Sequence, residues 1–405
     1  MQRRNKRGGL DQFQSVMIRS LRLLSAVFIV ICVVGCSDRL EFDQGLNPVH
    51  VGALPAGIAT HSASECAVCH RGEFHDWKES VHGRAFTNEL FQDSFRIEPA
   101  VWCVNCHAPL REQAMQTLPG QIGIVDRNAV QTVSQTALRN EGINCVACHV
   151  RDGIVYGTNK GAIERGSKHH PMKYSTYLSS SSFCGGCHEF NFPYFPKDKV
   201  VEYGPSPMQS THSEWRMSSL SLAGIGCKDC HSSPLNHKVY GPHTPGWLEK
   251  KVTLEAILEN DRVAVARVTI RGIPHSFPTG DLFRGLDVDV LASGERIGRK
   301  TFGRKTGDFK DAHAPGGVYK HYYAENVLRP DWRGSIDETI RIPLDRPVSV
   351  HEVVLVQLIY FYRNRDAERT LPQSLTQKEI ARAEVYPAYL QQGPSSLNQP
   401  GIGFK

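Results

Sequence analysis

One five-residue pattern occurs five times between residues 66 and 231. Its copies are Cys66-Ala67-Val68-Cys69-His70, Cys103-Val104-Asn105-Cys106-His107, Cys145-Val146-Ala147-Cys148-His149, Cys184-Gly185-Gly186-Cys187-His188 and Cys227-Lys228-Asp229-Cys230-His231. C-x-x-C-H is the attachment signature of c-type haem. Two thiols add across the haem vinyl groups as thioethers, and the adjacent imidazole is held under the iron as its proximal ligand. Zinc knuckles and C-x-x-C disulfides also pair cysteines, but neither requires histidine as the next residue every time. The expectation is five covalently bound haem c groups, with His70, His107, His149, His188 and His231 as proximal iron ligands. So many porphyrins on so short a stretch would themselves form much of the interior, wrapped by short helices and loops.

Haem attachment to such motifs takes place outside the bacterial cytoplasm, which requires export. Arg19 and Arg22 precede an apolar run from Leu23 to Val34 that ends Val33-Val34-Gly35-Cys36. A charged start, a short apolar run and a small residue before the cleavage point make a signal peptide. The run is shorter than the about 20 apolar residues of a membrane span. It resembles a bacterial lipobox, with Cys36 as the lipidated first residue of the mature chain; a signal anchor and an ordinary signal peptide are the alternatives. Cys32 falls within the removed segment, and Met17 is a plausible start. Ser37 after Cys36 leans towards the outer membrane.

Charge argues against nucleic acid as a partner. The whole chain carries +6, but residues 1–35 hold six basic residues and one acid, leaving 41 basic against 40 acidic beyond them. Ten haem propionates, ionised near neutral pH, would make the loaded protein acidic. No basic stripe is present.

From Glu73 to Phe91 the residues Phe74, Trp77, Val81, Phe86 and Leu90 recur at near-helical spacing. They predict one helix with His75 and His82 on a shared face. Asp76-Trp77-Lys78-Glu79-Ser80 is echoed by Glu214-Trp215-Arg216-Met217-Ser218, with His82 replaced by Leu220 in the second copy. Gly142-Ile143 and Gly224-Ile225 precede the third and fifth motifs alike, the glycines placed as helix C-terminal caps. The motifs begin 37, 42, 39 and 43 residues apart, a near-period that suggests repeated haem-plus-helix units. After Trp247 the character changes, and no cysteine follows Cys230. Lys251 to Leu258, Arg262 to Arg271, Leu286 to Leu291, Glu338 to Leu344 and Glu352 to Tyr362 alternate as strands do. The expected architecture is an α-helical and loop multihaem cytochrome domain followed by an antiparallel β-sandwich domain. Its boundaries are a lipoprotein signal peptide over 1–35, a tether over 36–60, the haem domain over 61–249, the sandwich over 250–392 and a tail over 393–405.

The haem region resembles the multihaem cytochromes grouped around cytochrome c-554 and the pentahaem nitrite reductases. The resemblance rests on Cys66 to His82, Gly142 to His149, Ser182 to Glu189 and Glu214 to His231, and covers roughly residues 60 to 250. Pro242 to Gly246 and the loop His275-Ser276-Phe277-Pro278-Thr279-Gly280 resemble a second arrangement. In that one, such haem domains carry a C-terminal β domain with a His-x-x-Pro-Thr-Gly motif. The resemblance implies a second histidine as sixth ligand of the iron. His82 is the first candidate, then His170 or His169, His243 (preferred over His237) and His275; His61 and His212 are weaker. Surface or structural histidines are the bland alternative at each. Arg284, just after the loop, is placed to pair with a propionate. Two departures stand out. The nitrite reductases usually attach their catalytic haem through C-x-x-C-K, whereas all five motifs here end in histidine. The c-554 proteins carry one haem fewer and no β domain.

Thirteen histidines lie outside the motifs, enough for two axial imidazoles at every haem. Haems so ligated have no open position and only pass electrons on. The favoured reading is therefore an electron carrier between redox proteins, membrane-anchored through Cys36, with a β domain able to join a larger complex. The alternative is a multihaem oxidoreductase acting on a small nitrogen or sulfur compound at one five-coordinate haem.

Overall fold

The protein is described from a computed structural model covering residues 48–116, 118–119, 123–194, 202–232, 236–310, 318–362, 371 and 373–386. The expected signal peptide with Cys36, and the expected tail over 393–405, lie outside the described residues. Among the described residues no helix is long and apolar enough to cross a membrane.

Four motifs sit on short helices that end at the motif histidine: Val101–His107, Cys145–His149, Ser181–His188 and Cys227–His231. One helical turn places residues i, i+3 and i+4 on one face, so both thiols and the imidazole point the same way. Asn144 and Ser180 cap two of these helices by accepting from the backbone N–H of Ala147 and Phe183. The first motif instead straddles two helices, Ala63–Ala67 and Arg71–Glu79.

A purely helix-and-loop haem domain is not what the chain forms, and this corrects the expected fold class. The protein is mixed, 28% helical and 34% strand. After the third motif the chain passes directly into β1 (Val150–Arg151), which hairpins onto β2 (Ile154–Gly157), and β3 (Met172–Tyr174) adds parallel to β2. After the fourth motif comes an antiparallel pair, β4 (Glu189–Tyr194) and β5 (Glu202–Ser210). The Ile154-Val155-Tyr156 run has the β-branched and aromatic character that suits a strand.

The single helix expected over Glu73 to Phe91 is also two pieces. Ser80 adopts extended backbone, donates its hydroxyl to Trp77 O at 2.6 Å and accepts from Gly83 N at 3.2 Å, ending the first helix. A second helix, Glu89–Ile97, starts at the Asn88 cap. His82 therefore lies in the turn between them, while His75 stays exposed on the helix.

The internal echo is structural. The Trp77 indole donates to Ile143 O at 2.6 Å, and the Trp215 indole donates to Ile225 O at 2.9 Å. Ile143 N donates to His82 O at 3.1 Å, and Ile225 N to Leu220 O at 2.9 Å. Gly142 and Gly224 take φ of +60° and +76°, the left-handed region that glycine enters without penalty. At Gly142 a Cβ would also meet His82 O at 2.7 Å, so nothing larger fits.

The C-terminal part is compatible with the expected sandwich. β6 (Val252–Asn260) and β7 (Val263–Arg271) form a hairpin, with Leu254, Ala256 and Leu258 buried in alternation with exposed neighbours. Then follow β8 (Arg284–Ala292), β9 (Glu295–Lys310), β10 (Val318–Asn326), β11 (Ser335–Pro343), β12 (Val354–Tyr362) and β13 (Gln377–Val385). The strand orders are β10-β9-β8-β12-β13 and β11-β7-β6. The inward side chains of both sheets, among them Val268, Ile270, Leu286, Val288, Ile342 and Leu358, make the main apolar core. β9, β10 and β13 were not expected, because charged residues and glycines break their apolar alternation. Among the described residues the motif-bearing part holds small apolar clusters, such as Val51, Leu110, Val146, Ala147 and Val150.

Ile270 is fully buried between the sheets and Ile257 is half exposed on the same hairpin. Ile270→Ala is expected to cost about 2–5 kcal/mol, and Ile257→Ala less than about 1 kcal/mol. Denaturant midpoints at constant haem content would check this; equal shifts would contradict the packing described.

Candidate haem-binding sites

Four motif histidines face a second imidazole. The ring centroids lie 6.5 Å apart for His70 and His170, 6.5 Å for His82 and His188, 6.1 Å for His149 and His237, and 6.2 Å for His231 and His275. A metal–imidazole bond is about 2 Å, and each ring centre lies about 1 Å behind its nitrogen, so one metal shared by two axial imidazoles separates them by roughly 6 Å. These pairs meet that requirement. Among the described residues no three His, Cys, Asp or Glu gather into a metal-holding group. The fit is thus to single metals between paired imidazoles, with a pair of thiols beside each.

The other ring nitrogen is held from behind. Nδ1 of His107 donates to Ala85 O at 2.7 Å, of His149 to Tyr156 O at 2.8 Å, of His231 to Tyr240 O at 2.9 Å and of His275 to Ser276 O at 3.1 Å. A carbonyl oxygen only accepts, so Nδ1 carries the proton and Nε2 keeps its lone pair for a metal. Burial pushes His82 and His107 down to about 4 and His188 down to about 3. These imidazoles are neutral at physiological pH, the form that ligates.

Of the expected distal ligands, His82, His170 and His275 stand opposite motif histidines. His169, beside His170, is exposed and faces none. His61 sits 3.7 Å from Glu112. His243 stands against Tyr360, with ring centroids 6.1 Å apart. The partner of His149 is His237, which the sequence reading ranked below His243. Ser232 bridges Val239 and folds the segment back over the fifth motif, a turn that spacing does not announce. His212 lies against Gly185 and Trp215.

His275 depends on a clamp between the two halves of the chain. Glu214, on the helix Thr211–Arg216, accepts from Ser276 N at 2.9 Å, Thr279 Oγ1 at 3.0 Å and Arg304 Nη2 at 3.1 Å. Phe277 pairs with Leu328 through two backbone hydrogen bonds of 2.8 and 2.9 Å, which seats the loop on the sandwich. The echoed Glu-Trp helix and the His-x-x-Pro-Thr-Gly loop are therefore one device that delivers His275 to His231.

None of the ten motif cysteines is in a disulfide. Thiols from different motifs touch: Cys66 with Cys145, Cys106 with Cys187 and Cys184 with Cys227. Burial pushes the Cys148 thiol up to about 11, Arg151 pulling it back and Cys187 adding to the rise. The third motif is thereby a neighbour of the fourth, so the five attachment points form one continuous group.

No family model, curated protein or solved structure matches this chain. The likeness to c-554 and the nitrite reductases rests on the motifs quoted above.

In the haem-loaded protein, His170→Ala is expected to convert one low-spin haem signal in the electron paramagnetic resonance spectrum to high-spin. His169→Ala is expected to leave the spectrum unchanged. The same change from both would contradict the pairing of His70 with His170.

Proposed function

We propose that this chain is an exported, lipid-anchored pentahaem c-type cytochrome that passes single electrons between redox proteins. The observation that carries the reading is the set of four facing imidazole pairs, each with one member in a C-x-x-C-H motif. The residues that would hold the haems are the ten motif cysteines, by thioether bonds, and the motif histidines with His170, His82, His237 and His275 opposite four of them.

Haem bound at these sites supplies reversible one-electron chemistry. The chain's part is to bind, orient and bury. At those four sites the paired imidazoles would hold the iron between them and leave no place for a substrate. Carbonyl oxygens behind Nδ1 of His107, His149, His231 and His275 fix those rings' orientation and strengthen Nε2 as a donor. Burial favours the neutral form of His82, His149, His188, His231 and His275, the form that ligates. Contacts between thiols of different motifs set the attachment points side by side, as a relay of carriers needs. The apolar run ending at Cys36 supports export and anchoring, and Ser37 favours the outer membrane.

Intact mass and pyridine haemochrome of protein matured in an export-competent host should report five covalent haems per chain. Zinc bound in stoichiometric amount, or cysteines paired as disulfides with no haem, would refute the proposal.

A further inference from the structure

Behind three motif histidines the group that holds Nδ1 is a backbone carbonyl, at Ala85, Tyr156 and Tyr240. The fourth motif is built differently. There the side-chain amide of Gln209 lies 3.1 Å from His188 Nδ1. A main-chain carbonyl survives any substitution that keeps the fold, whereas a side chain can be exchanged. This contact is therefore one through which a single residue adjusts a ring.

The placement of Gln209 follows from the chain on both sides of it. β4 leaves His188 at once, and β5 returns antiparallel with Gln209 opposite Phe190 and Ser210 opposite Glu189. The hairpin thus brings residue 209 back beside the motif it left. The loop of the C-terminal sandwich closes in on the same amide. Gly280 takes φ of +85°, and a Cβ added there would stand 3.7 Å from Gln209 Nε2. Two residues on from Gln209, Thr211 Oγ1 is 2.9 Å from Thr279 Oγ1. The loop that sets His275 opposite His231 thereby also backs the amide at His188. The two attachment sites it serves adjoin each other, since Cys227 N donates to Ser181 Oγ at 3.1 Å.

An imidazole whose Nε2 binds a metal carries its proton on Nδ1 and needs an acceptor there. A carboxamide offers an acceptor at one end and donors at the other, and half a turn of its terminal torsion exchanges them in place. We propose that Gln209 is a positioning residue for the haem attached at Cys184 and Cys187. Its amide oxygen accepts from Nδ1–H of His188, fixes that ring and lowers the reduction potential of that haem. The potential falls because the hydrogen bond leaves more electron density on Nε2, which stabilises ferric over ferrous iron. This rests on the pentahaem reading above and deepens it, by naming the residue that sets one carrier's potential.

The test uses the full haem-loaded protein in a redox titration followed by electron paramagnetic resonance, where each low-spin ferric signal fades at its own potential. Gln209→Leu keeps the bulk and removes the acceptor. It should move one signal alone, shifting that haem's equilibrium roughly threefold to tenfold towards the ferrous form, a rise of up to about 59 mV. Gln209→Glu, which accepts but cannot donate, should hold the same potential at or below that of the unaltered protein. Unchanged potentials in Gln209→Leu, at five haems per chain, would overturn the inference and leave the electron-carrier reading intact. An equal rise in both variants would overturn it too, since the side chain would then do no more than fill space. A haem count below five in the unaltered protein would strike the underlying reading, and this one with it.

Discussion

Where two imidazoles face each other, a backbone carbonyl behind Nδ1 fixes three of the rings, His149, His231 and His275. Such a bond holds a side chain that otherwise rotates about two torsions. Supplying that carbonyl is a demand on the main chain. The strand after the third motif exists in part to bring Tyr156 O to His149, and the fold-back after the fifth brings Tyr240 O to His231. Ala85 O reaches His107 only because the chain turns at Ser80 rather than continuing as a helix. Secondary structure in the haem region is therefore short and mixed: each element is as long as the placement of one carbonyl or one ring requires.

The two halves of the chain are joined at the same kind of point. Glu214 binds four partners through its two carboxylate oxygens, counting Ser210 on its own side. A half-buried carboxylate so fully engaged is costly to leave unpaired, so the helix and the loop hold each other in place. The β sandwich is thereby more than an appendage. It lends His275 to one motif, while its own stability comes from an apolar core that does not involve that residue.

Local chemistry was legible in the sequence where a residue type is demanded by a bond, and much less so where partners meet through space. The ten thiols and five motif imidazoles could be read directly, as could Gly142 and Gly224, because a left-handed φ and a close backbone approach admit little else. His275 was visible through its loop. His82 was named for the wrong reason: apolar spacing from Phe74 to Leu90 looks like one helix, and only the Ser80 cap reveals two. His237 was passed over because Gly-Pro-His-Thr-Pro-Gly makes His243 look rigidly held, which it is, but against Tyr360. The helix-and-loop class failed because strands of two to four residues, and longer ones broken by proline and glycine, leave hardly any period to detect. β9 and β13 escaped because their outward faces are charged.

The contacts between thiols of different motifs bear on how such a chain is made. Cys66 and Cys145 belong to separate attachment sites, as do Cys106 and Cys187, and Cys184 and Cys227. In an oxidising compartment, neighbouring thiols exchange readily into disulfides. A single one of these cross-links would disable two attachment sites together. On the proposed reading, maturation would be a kinetic competition in which thioether formation has to precede collapse of the chain into its final shape. The compact grouping that would suit a relay of carriers would then be a hazard during assembly.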